Sequence, residues 1–435
     1  MLQSIMSRLN IERSQALYAQ GLELMPWASQ TASKRPTEYA FGAFPIYIER
    51  GSGAHVWDAD GNKYIDYILG LGPITLGYCY EPVDNAVRAQ MEKGVIFGLP
   101  HTIEVEAAQA IVETIPGVDM VRFFKTGAEA TSAAVRVART FTGRDIVLHS
   151  GYHGWLDSVN ATNPQPGIPS QMREVLHSFA WNDLAGLQKL LEEYSGQVAA
   201  VMMSAVSYFE VSDGQYLQQV RELCNRHNVL LIFDEIVTGY RLALGGAQEY
   251  FGVIPDLSCF AKGIANGYPV AALCGRRDVM TAMEKVTISS TYGGEALSLA
   301  ALVACVREYR EKNVTEFLRA QGQKLMDGLN AAAKAHGVAA RWLGYPCMSA
   351  YTFEYDDAEL NRHCVTFWLQ ECAKRGVLFR RGGLNFITFS HDDAVIEETV
   401  AVGSEVLSLL SQAIERGEVA SLLETTAEVR GRYEQ

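Results

Sequence analysis

The chain has 435 residues, 48% of them hydrophobic and 20% charged, with a formal net charge of −13. That length supports two domains with sizeable cores, and the acidic balance argues against nucleic-acid or anionic-membrane partners. No apolar run approaches the roughly 18 residues of a membrane span, and the opening MLQSIMSRLNIERSQ lacks the pattern of a signal peptide. Eight cysteines without a CxxC pair or disulfide-like spacing point to reduced thiols in a cytoplasm.

A helix is expected near 9–24, followed by the polar stretch SQTASKRPTEYAFG, a loop of the length that often carries function. Tyr47–Glu49 and His55–Asp58 read as hairpin strands, with Asp60-Gly61-Asn62 supplying the turn. Helical periodicity covers 81–93 and 104–115. Strand and helix then alternate, the mark of a parallel sheet with crossovers. The strands are Val121–Lys125, Ile146–His149 and Val198–Met203, and the helices Thr126–Thr142, Leu184–Tyr194 and Tyr216–His227. A long loop with Pro164, Pro166 and Pro169 follows His149. Three short apolar runs come next, Val229–Phe233, Leu257–Phe260 and Val270–Leu273, each suited to a strand buried on both faces. From about 302 the pattern changes. Helices are expected over Ala296–Lys312, Thr315–His336, Asn361–Arg375 and Asp393–Gly417, strands over Met348–Glu354, Val377–Arg380 and Phe386–Thr388, and charged helix beyond about 418.

The chemistry concentrates between Val229 and Gly275. The first apolar run ends in Asp234 and the second leads to Lys262. Ligands of open α/β sheets sit at the carboxyl ends of the strands, so this acid and this lysine are expected to face one crevice. Pyridoxal phosphate needs such a pair: a lysine to hold its aldehyde as a Schiff base and an acid to keep its pyridine nitrogen protonated. Taken singly, Lys262 reads as a surface lysine and Asp234 as a helix cap. HExxH, GxxxxGK[ST] and GxGxxG are absent, which removes the easy metalloprotease, P-loop and dinucleotide readings.

The segment Phe233-Asp234-Glu235-Ile236-Val237-Thr238-Gly239-Tyr240-Arg241, followed by Ala261-Lys262-Gly263, resembles the class III (omega-type) pyridoxal-phosphate aminotransferases, in the branch of the glutamate-1-semialdehyde aminomutases. The resemblance spans roughly residues 15 to 410 and includes further motifs in the family's order. Phe123-Phe124-Lys125-Thr126-Gly127-Ala128-Glu129 is a strand turning into a helix, whose first amides suit a phosphate. A plain turn with a Thr cap looks the same, and it is the family match that makes Thr126, Gly127 and Ala128 the phosphate cup. The match also sets Tyr152 against the pyridine ring. It leaves His153 between a supporting and a structural role. In Ser290-Thr291-Tyr292-Gly293-Gly294-Glu295 it implies that Thr291 reaches the cofactor phosphate of a neighbouring subunit, hence a homodimer with a shared active site. Glu235 is expected to orient neighbours and Glu129 to be structural, while Arg241 could pair with Glu235 or another acid and is given no catalytic role.

Two departures narrow the substrate. Ser204-Ala205-Val206 stands where many members carry Glu-Pro-Val, so Ser204 takes the cofactor-side position of that acid. Gly-Gly-Glu-Ala follows Thr291, where a His or Asn before Pro is usual. Members acting on aminoglycoside sugars resemble the chain in lacking that Glu. Ser207-Tyr208-Phe209-Glu210 becomes a candidate substrate segment or an ordinary loop, and Arg380-Arg381 a candidate carboxylate fork or a solvated strand end.

The resemblance implies the type I aminotransferase architecture, an α/β fold with a mostly parallel central sheet. The large cofactor domain is expected over 60–300, with 1–59 and 301–435 forming a smaller, discontinuous α+β domain. The expected reaction is ping-pong transfer from an amino-acid donor to an aldehyde or ketone, on a sugar or aminocyclitol. The alternatives are an aminomutase of the glutamate-1-semialdehyde kind, an epimerase using the same cofactor, and a non-catalytic protein that keeps the fold for binding. The first two need no external donor.

Overall fold

The computed structural model describes residues 9–163, 165–207 and 209–425. The chain forms two compact units. One comprises the chain up to Leu71, Thr75–Tyr80 and the chain from Phe317 onward; the other comprises Gly72–Ile74 and Glu81–Glu316. The strands, in chain order, are β1 (Ile48–Ser52), β2 (His55–Asp58), β3 (Lys63–Asp66), β4 (Met120–Phe124), β5 (Ile146–Ser150), β6 (Leu176–Ser178) and β7 (Val198–Met203). They continue as β8 (Leu230–Asp234), β9 (Leu257–Phe260), β10 (Ala271–Gly275), β11 (Ala340–Tyr345), β12 (Met348–Phe353), β13 (Val377–Leu378) and β14 (Asn385–Phe386).

The larger unit is built on a seven-stranded sheet in the order β4-β10-β9-β8-β7-β5-β6. Strand β10 runs antiparallel to both its neighbours, and the other six run the same way. Every residue of β5, β7, β8, β9 and β10 is buried, as continuous apolar runs covered on both faces require. The alanine-rich helix Gly127–Thr142 supplies much of that cover: Ala130, Ala133, Ala134, Val135, Val137 and Ala138 pack into the same core as Val147, Ala200 and Ile232. The expected helices at 81–93, 104–115, 184–194, 216–227 and 296–312 are present as Glu81–Met91, Thr102–Val112, Leu184–Glu193, Gln215–His227 and Ala296–Glu311. The stretch after His149 is not all loop, because Leu176–Ser178 adds an edge strand parallel to β5.

The smaller unit holds a four-stranded sheet, β1-β2-β3-β13, and a three-stranded one, β11-β12-β14. Helix Ala358–Lys374 packs on β12, β13 and the helix Asp393–Glu415, beside an aromatic cluster in which the Trp342 and Trp368 rings lie 5.1 Å apart and Tyr67 stacks on Phe379 at 5.0 Å. The Asp60-Gly61-Asn62 turn does not join the two strands assigned to it. It joins β2 to the unforeseen β3, with Asp58 Oδ1 accepting the amides of Asp60 and Asn62 at 3.0 and 2.8 Å, an Asx-type closure. Strand β1 reaches β2 through Gly53-Ala54 instead. Because β3 pairs with β13 from the far end of the sequence, residues 60–71 belong to this unit. The larger unit ends at Glu316 instead of 300 because Ala296–Glu311 packs on Glu81–Met91 and Thr102–Val112. Beyond 418 the described chain makes a 3-10 turn, Ala420–Leu422, in place of the expected helix, and residues 426–435 lie outside the described range. Among the described residues, no helix is long and apolar enough to cross a membrane.

Candidate active site

The parallel strands of the larger unit deliver their carboxyl ends to one edge of the sheet. Asp234 closes β8, in register with Cys259 of β9. Strand β9 stops at Phe260, so Lys262 lies just past the strand, opening a 3-10 turn over Lys262–Ala265. Adjacent strands are about 5 Å apart, so both residues lie at the same edge of the sheet. Lys262 has φ 51°. A left-handed backbone costs a non-glycine residue about 1–2 kcal/mol and is kept where surrounding structure enforces it, commonly at a functional site.

Asp234 is only 9% exposed. Its Oδ1 accepts the Ile236 amide at 3.1 Å, and its Oδ2 lies 2.8 Å from Nδ1 of His153. The other His153 nitrogen, Nε2, is 3.0 Å from the Ser150 carbonyl. Both ring nitrogens therefore lie within hydrogen-bond distance of protein oxygens. Edge-on to it, 5.8 Å away, is His149. Burial, with the His153 charge added, pushes His149 down to about 4, so it is a neutral spacer held by Thr162 Oγ1 at 2.8 Å and the Gly151 carbonyl at 3.2 Å. His153 thus serves Asp234 directly, a role that nothing local in the sequence singles out.

Beside these, β4 runs into the helix Gly127–Thr142, capped by Thr126. Thr126 Oγ1 accepts the Glu129 amide at 3.3 Å, and Glu129 Oε2 accepts the amides of Lys125 and Thr126 at 3.1 and 2.9 Å. This capping box accounts for Glu129 and leaves the Gly127 and Ala128 amides, first in the helix, with no helical partner. Positive dipole and open amides together make an anion seat. Space around it is tight: a Cβ at Gly127 would lie 2.5 Å from Ile236 Cδ1, and one at Gly154 2.7 Å from Ala128 Cβ.

Tyr152, 52% exposed, sits in the loop after β5. Ser204 follows β7, half-buried, with its carbonyl accepting Trp181 Nε1 at 3.3 Å. Thr291 is exposed in the turn before Ala296–Glu311. Glu235 is wholly buried and ties β8 to a short helix: Thr238 Oγ1 and the Ala247 and Gln248 amides donate to it, the amides at 2.8 Å. Burial pushes its carboxyl up to about 7. Arg241 is buried and donates to the Gly72 carbonyl. Tyr208 lies outside the described residues, and Phe209 beside it is exposed. In the smaller unit, the Arg380 and Arg381 side chains take different directions. Arg381 is 4% exposed and donates to Thr366 Oγ1 at 2.5 Å, while the Arg380 guanidinium folds over its own loop at Gly383.

A buried carboxylate, a lysine with a left-handed backbone just past the next strand and a helix N-terminus are groups of the kinds that fit pyridoxal phosphate: an acid for its ring nitrogen, an amine for its aldehyde and amides for its phosphate. Fold and residues together define a pyridoxal-phosphate aminotransferase of the type I architecture. The chain belongs to the class III aminotransferase family, whose model matches residues 39–410. It is 33% identical over 408 residues to the 3-aminobutyryl-CoA aminotransferase of Cloacimonas acidaminovorans, covering 92% of this chain and 98% of that one. It is 36% identical over 416 residues to the glutamate-1-semialdehyde 2,1-aminomutase of Syntrophobacter fumaroxidans, covering 89% and 96%. Among solved structures, the FumI protein of Sphingopyxis sp. MTA144 superimposes with a TM-score of 0.88 at 28% identity, over 95% of this chain and 98% of that one. An omega-transaminase from Sphaerobacter thermophilus shares the fold with a TM-score of 0.85 at 24% identity, over 93% and 100%.

Proposed function

We propose that this class III aminotransferase moves an amino group from an amino-acid donor to the carbonyl of a sugar or aminocyclitol, with Lys262 as its catalytic base. The observation that carries the reading is the pairing of Asp234 and strained Lys262 at adjacent strand ends. The bound cofactor supplies an electron sink for the carbon that loses its proton. Lys262 Nζ would hold the aldehyde and, when free, would carry the proton at the donor's amine-bearing carbon. The Asp234 carboxylate, beside His153, would hold the proton on the pyridine nitrogen. The Gly127 and Ala128 amides and Thr126 would hold the phosphate, Tyr152 would cover the ring face, and Ser204 would take the cofactor-side place of the family's acid.

The acceptor reading rests on two features. Ser204-Ala205 stands where amino-acid-using members carry an acidic residue, and Gly293-Gly294-Glu295-Ala296 stands after the Thr291 turn where a His or Asn before Pro is usual. The reading extends to a homodimer in which Thr291 of each subunit reaches the other's phosphate. Its support is a stretch of exposed apolar side chains, Met91, Val95, Ile96, Phe97, Leu99 and Val105, of the kind that marks a protein interface. All eight cysteines are free, in keeping with a cytoplasmic enzyme.

A second reading, an aminomutase, draws on the relative of that name at 36% identity. Loading the enzyme with amino groups from L-glutamate, L-glutamine or L-alanine and then offering keto sugars beside 2-oxo acids separates the two. Amine appearing on a keto sugar supports the proposal; rearrangement of glutamate-1-semialdehyde without any donor replaces it with the second reading.

A further inference from the structure

The turn that carries Thr291 is fastened to the strand and helix of the phosphate cup. Arg122 Nη2 donates to the Ile288 carbonyl at 3.2 Å and Arg136 Nη1 to the Thr287 carbonyl at 3.3 Å. Gly293 backs onto the end of β4, where a Cβ would lie 3.1 Å from the Phe123 carbonyl oxygen. The strongest fastening is ionic. Lys125 Nζ lies 2.9 Å from Glu295 Oε2, with side chains 17% and 13% exposed. Glu295 also caps the next helix: Oε1 accepts the Leu297 amide at 2.8 Å, and Oε2 accepts the Ser298 amide at 3.2 Å and its hydroxyl at 2.7 Å. At the other end of the pair, Lys125 directly precedes Thr126, and its amide joins the capping box through Glu129. Glu295 belongs to the Gly-Gly-Glu-Ala run that departs from the family's usual His or Asn before Pro, and the cup's Lys125 is its partner.

We infer that Lys125 and Glu295 are positioning residues that couple the phosphate cup of one subunit to the loop which that subunit presents to its neighbour's cofactor. The inference rests on the shared-site dimer proposed above. A cofactor seated against Gly127 and Ala128 fixes the cup. The fixed cup holds Lys125, Lys125 holds Glu295, and Glu295 sets the end of the Thr291 turn. Binding at one site then pre-orders part of the other, so cofactor loading is cooperative.

A lysine next to a phosphate seat has a simpler alternative role, as a local positive charge. The sign of one substitution separates them. Glu295→Gln keeps an oxygen for the helix cap but removes the ion pair. If Lys125 acts only by its charge, freeing it from Glu295 tightens cofactor binding. If the pair positions the loop, binding weakens.

The test is titration of the full-length apoenzyme with pyridoxal phosphate, followed by protein fluorescence, with oligomeric state checked by sedimentation. The wild type is expected to load with a curve steeper than a simple hyperbola. Glu295→Gln and Lys125→Met should each weaken binding about tenfold, the range of a charge-assisted hydrogen bond, and flatten the curve. The double variant should be no weaker than either single one, and Lys125→Arg should recover most of the loss. Tighter or unchanged binding in Glu295→Gln, or hyperbolic loading of the wild type, overturns the coupling. Thr291→Ala in the same titration locates the fault. Weakened binding there with unchanged Glu295→Gln sinks the coupling alone, whereas unchanged binding in Thr291→Ala removes the shared-site reading and the coupling with it.

Discussion

Gly154 is the position where a single methyl group should separate cofactor binding from folding. Its backbone has φ +121°, and a Cβ there would meet Ala128 Cβ at 2.7 Å and Ala128 Cα at 3.0 Å. Ordinary carbon contacts are about 3.5–4.0 Å, so one of the two segments must give by close to 1 Å. Neither contact is the far end of a flexible side chain. Gly154→Ala therefore carries a backbone penalty of about 1–3 kcal/mol and an overpacking penalty of similar size. It also displaces the Ala128 amide, one of the two open donors of the phosphate seat. Losing one charge-assisted hydrogen bond corresponds to roughly tenfold to hundredfold weaker binding. Gly196→Ala is the control. It has φ +75° with nothing within 4 Å of the new Cβ, so only the backbone penalty of about 1–2 kcal/mol applies. Titrating both apoenzymes with cofactor, beside their thermal unfolding, is the assay. Gly154→Ala should lose stability and affinity, and Gly196→Ala a little stability only. Equal cofactor affinity in the two variants would refute the close approach and the seat built on it.

Removing the His153 ring with His153→Phe should leave Asp234 Oδ2 without its donor; by the value of such a bond, about 2 kcal/mol, the turnover rate is expected to fall at least tenfold, read from steady-state kinetics with saturating cofactor. Glu235 bears on pH. Its folded value of about 7 exceeds the ordinary 4.5, so between those values the folded chain binds a proton that the unfolded chain does not. Stability attributable to this group is fully present below about pH 4.5 and is lost as pH rises through 7, by about 3 kcal/mol at most. Glu235→Gln should unfold at lower temperature overall but without that slope; an unchanged slope between about pH 5 and about pH 8 contradicts the assignment. If the proposed homodimer forms through the exposed apolar segment, Leu99→Asp with Val105→Asp places two charges in it and should shift sedimentation from dimer to monomer with loss of cofactor affinity; a monomeric wild type would remove the dimer, and a variant still dimeric would put the interface elsewhere.

The central strands were legible because buried parallel strands are short continuous apolar runs, and Asp234 and Lys262 because each closely follows one. Elements defined by distant pairing were not. Strand β3 is visible only through its pairing with β2 and with β13, which lies at the far end of the sequence. Strand β6 is three residues that follow a proline-rich stretch, and β11, ARWLGY, passes for a connector until β12 pairs with it. Side-chain partners follow the same rule. His153 meets Asp234 across 81 residues and Lys125 meets Glu295 across 170, separations that no local pattern reports. The sequence of the adjacent pair Arg380-Arg381 likewise gives no sign that one side chain turns into the core toward Thr366 and the other lies over its loop.

The most direct test of the whole account is a half-reaction on the purified holoenzyme. Its visible spectrum would be recorded before and after adding L-glutamate, L-glutamine or L-alanine, for the wild type and for Lys262→Ala. The account predicts a visible cofactor band that one of these donors abolishes in the wild type, with release of the matching 2-oxo acid and restoration of the band by a carbonyl acceptor. In Lys262→Ala the original band should be absent and no donor should turn over. A wild-type band indifferent to every donor, or a Lys262→Ala enzyme that still exchanges amino groups at the wild-type rate, would contradict it.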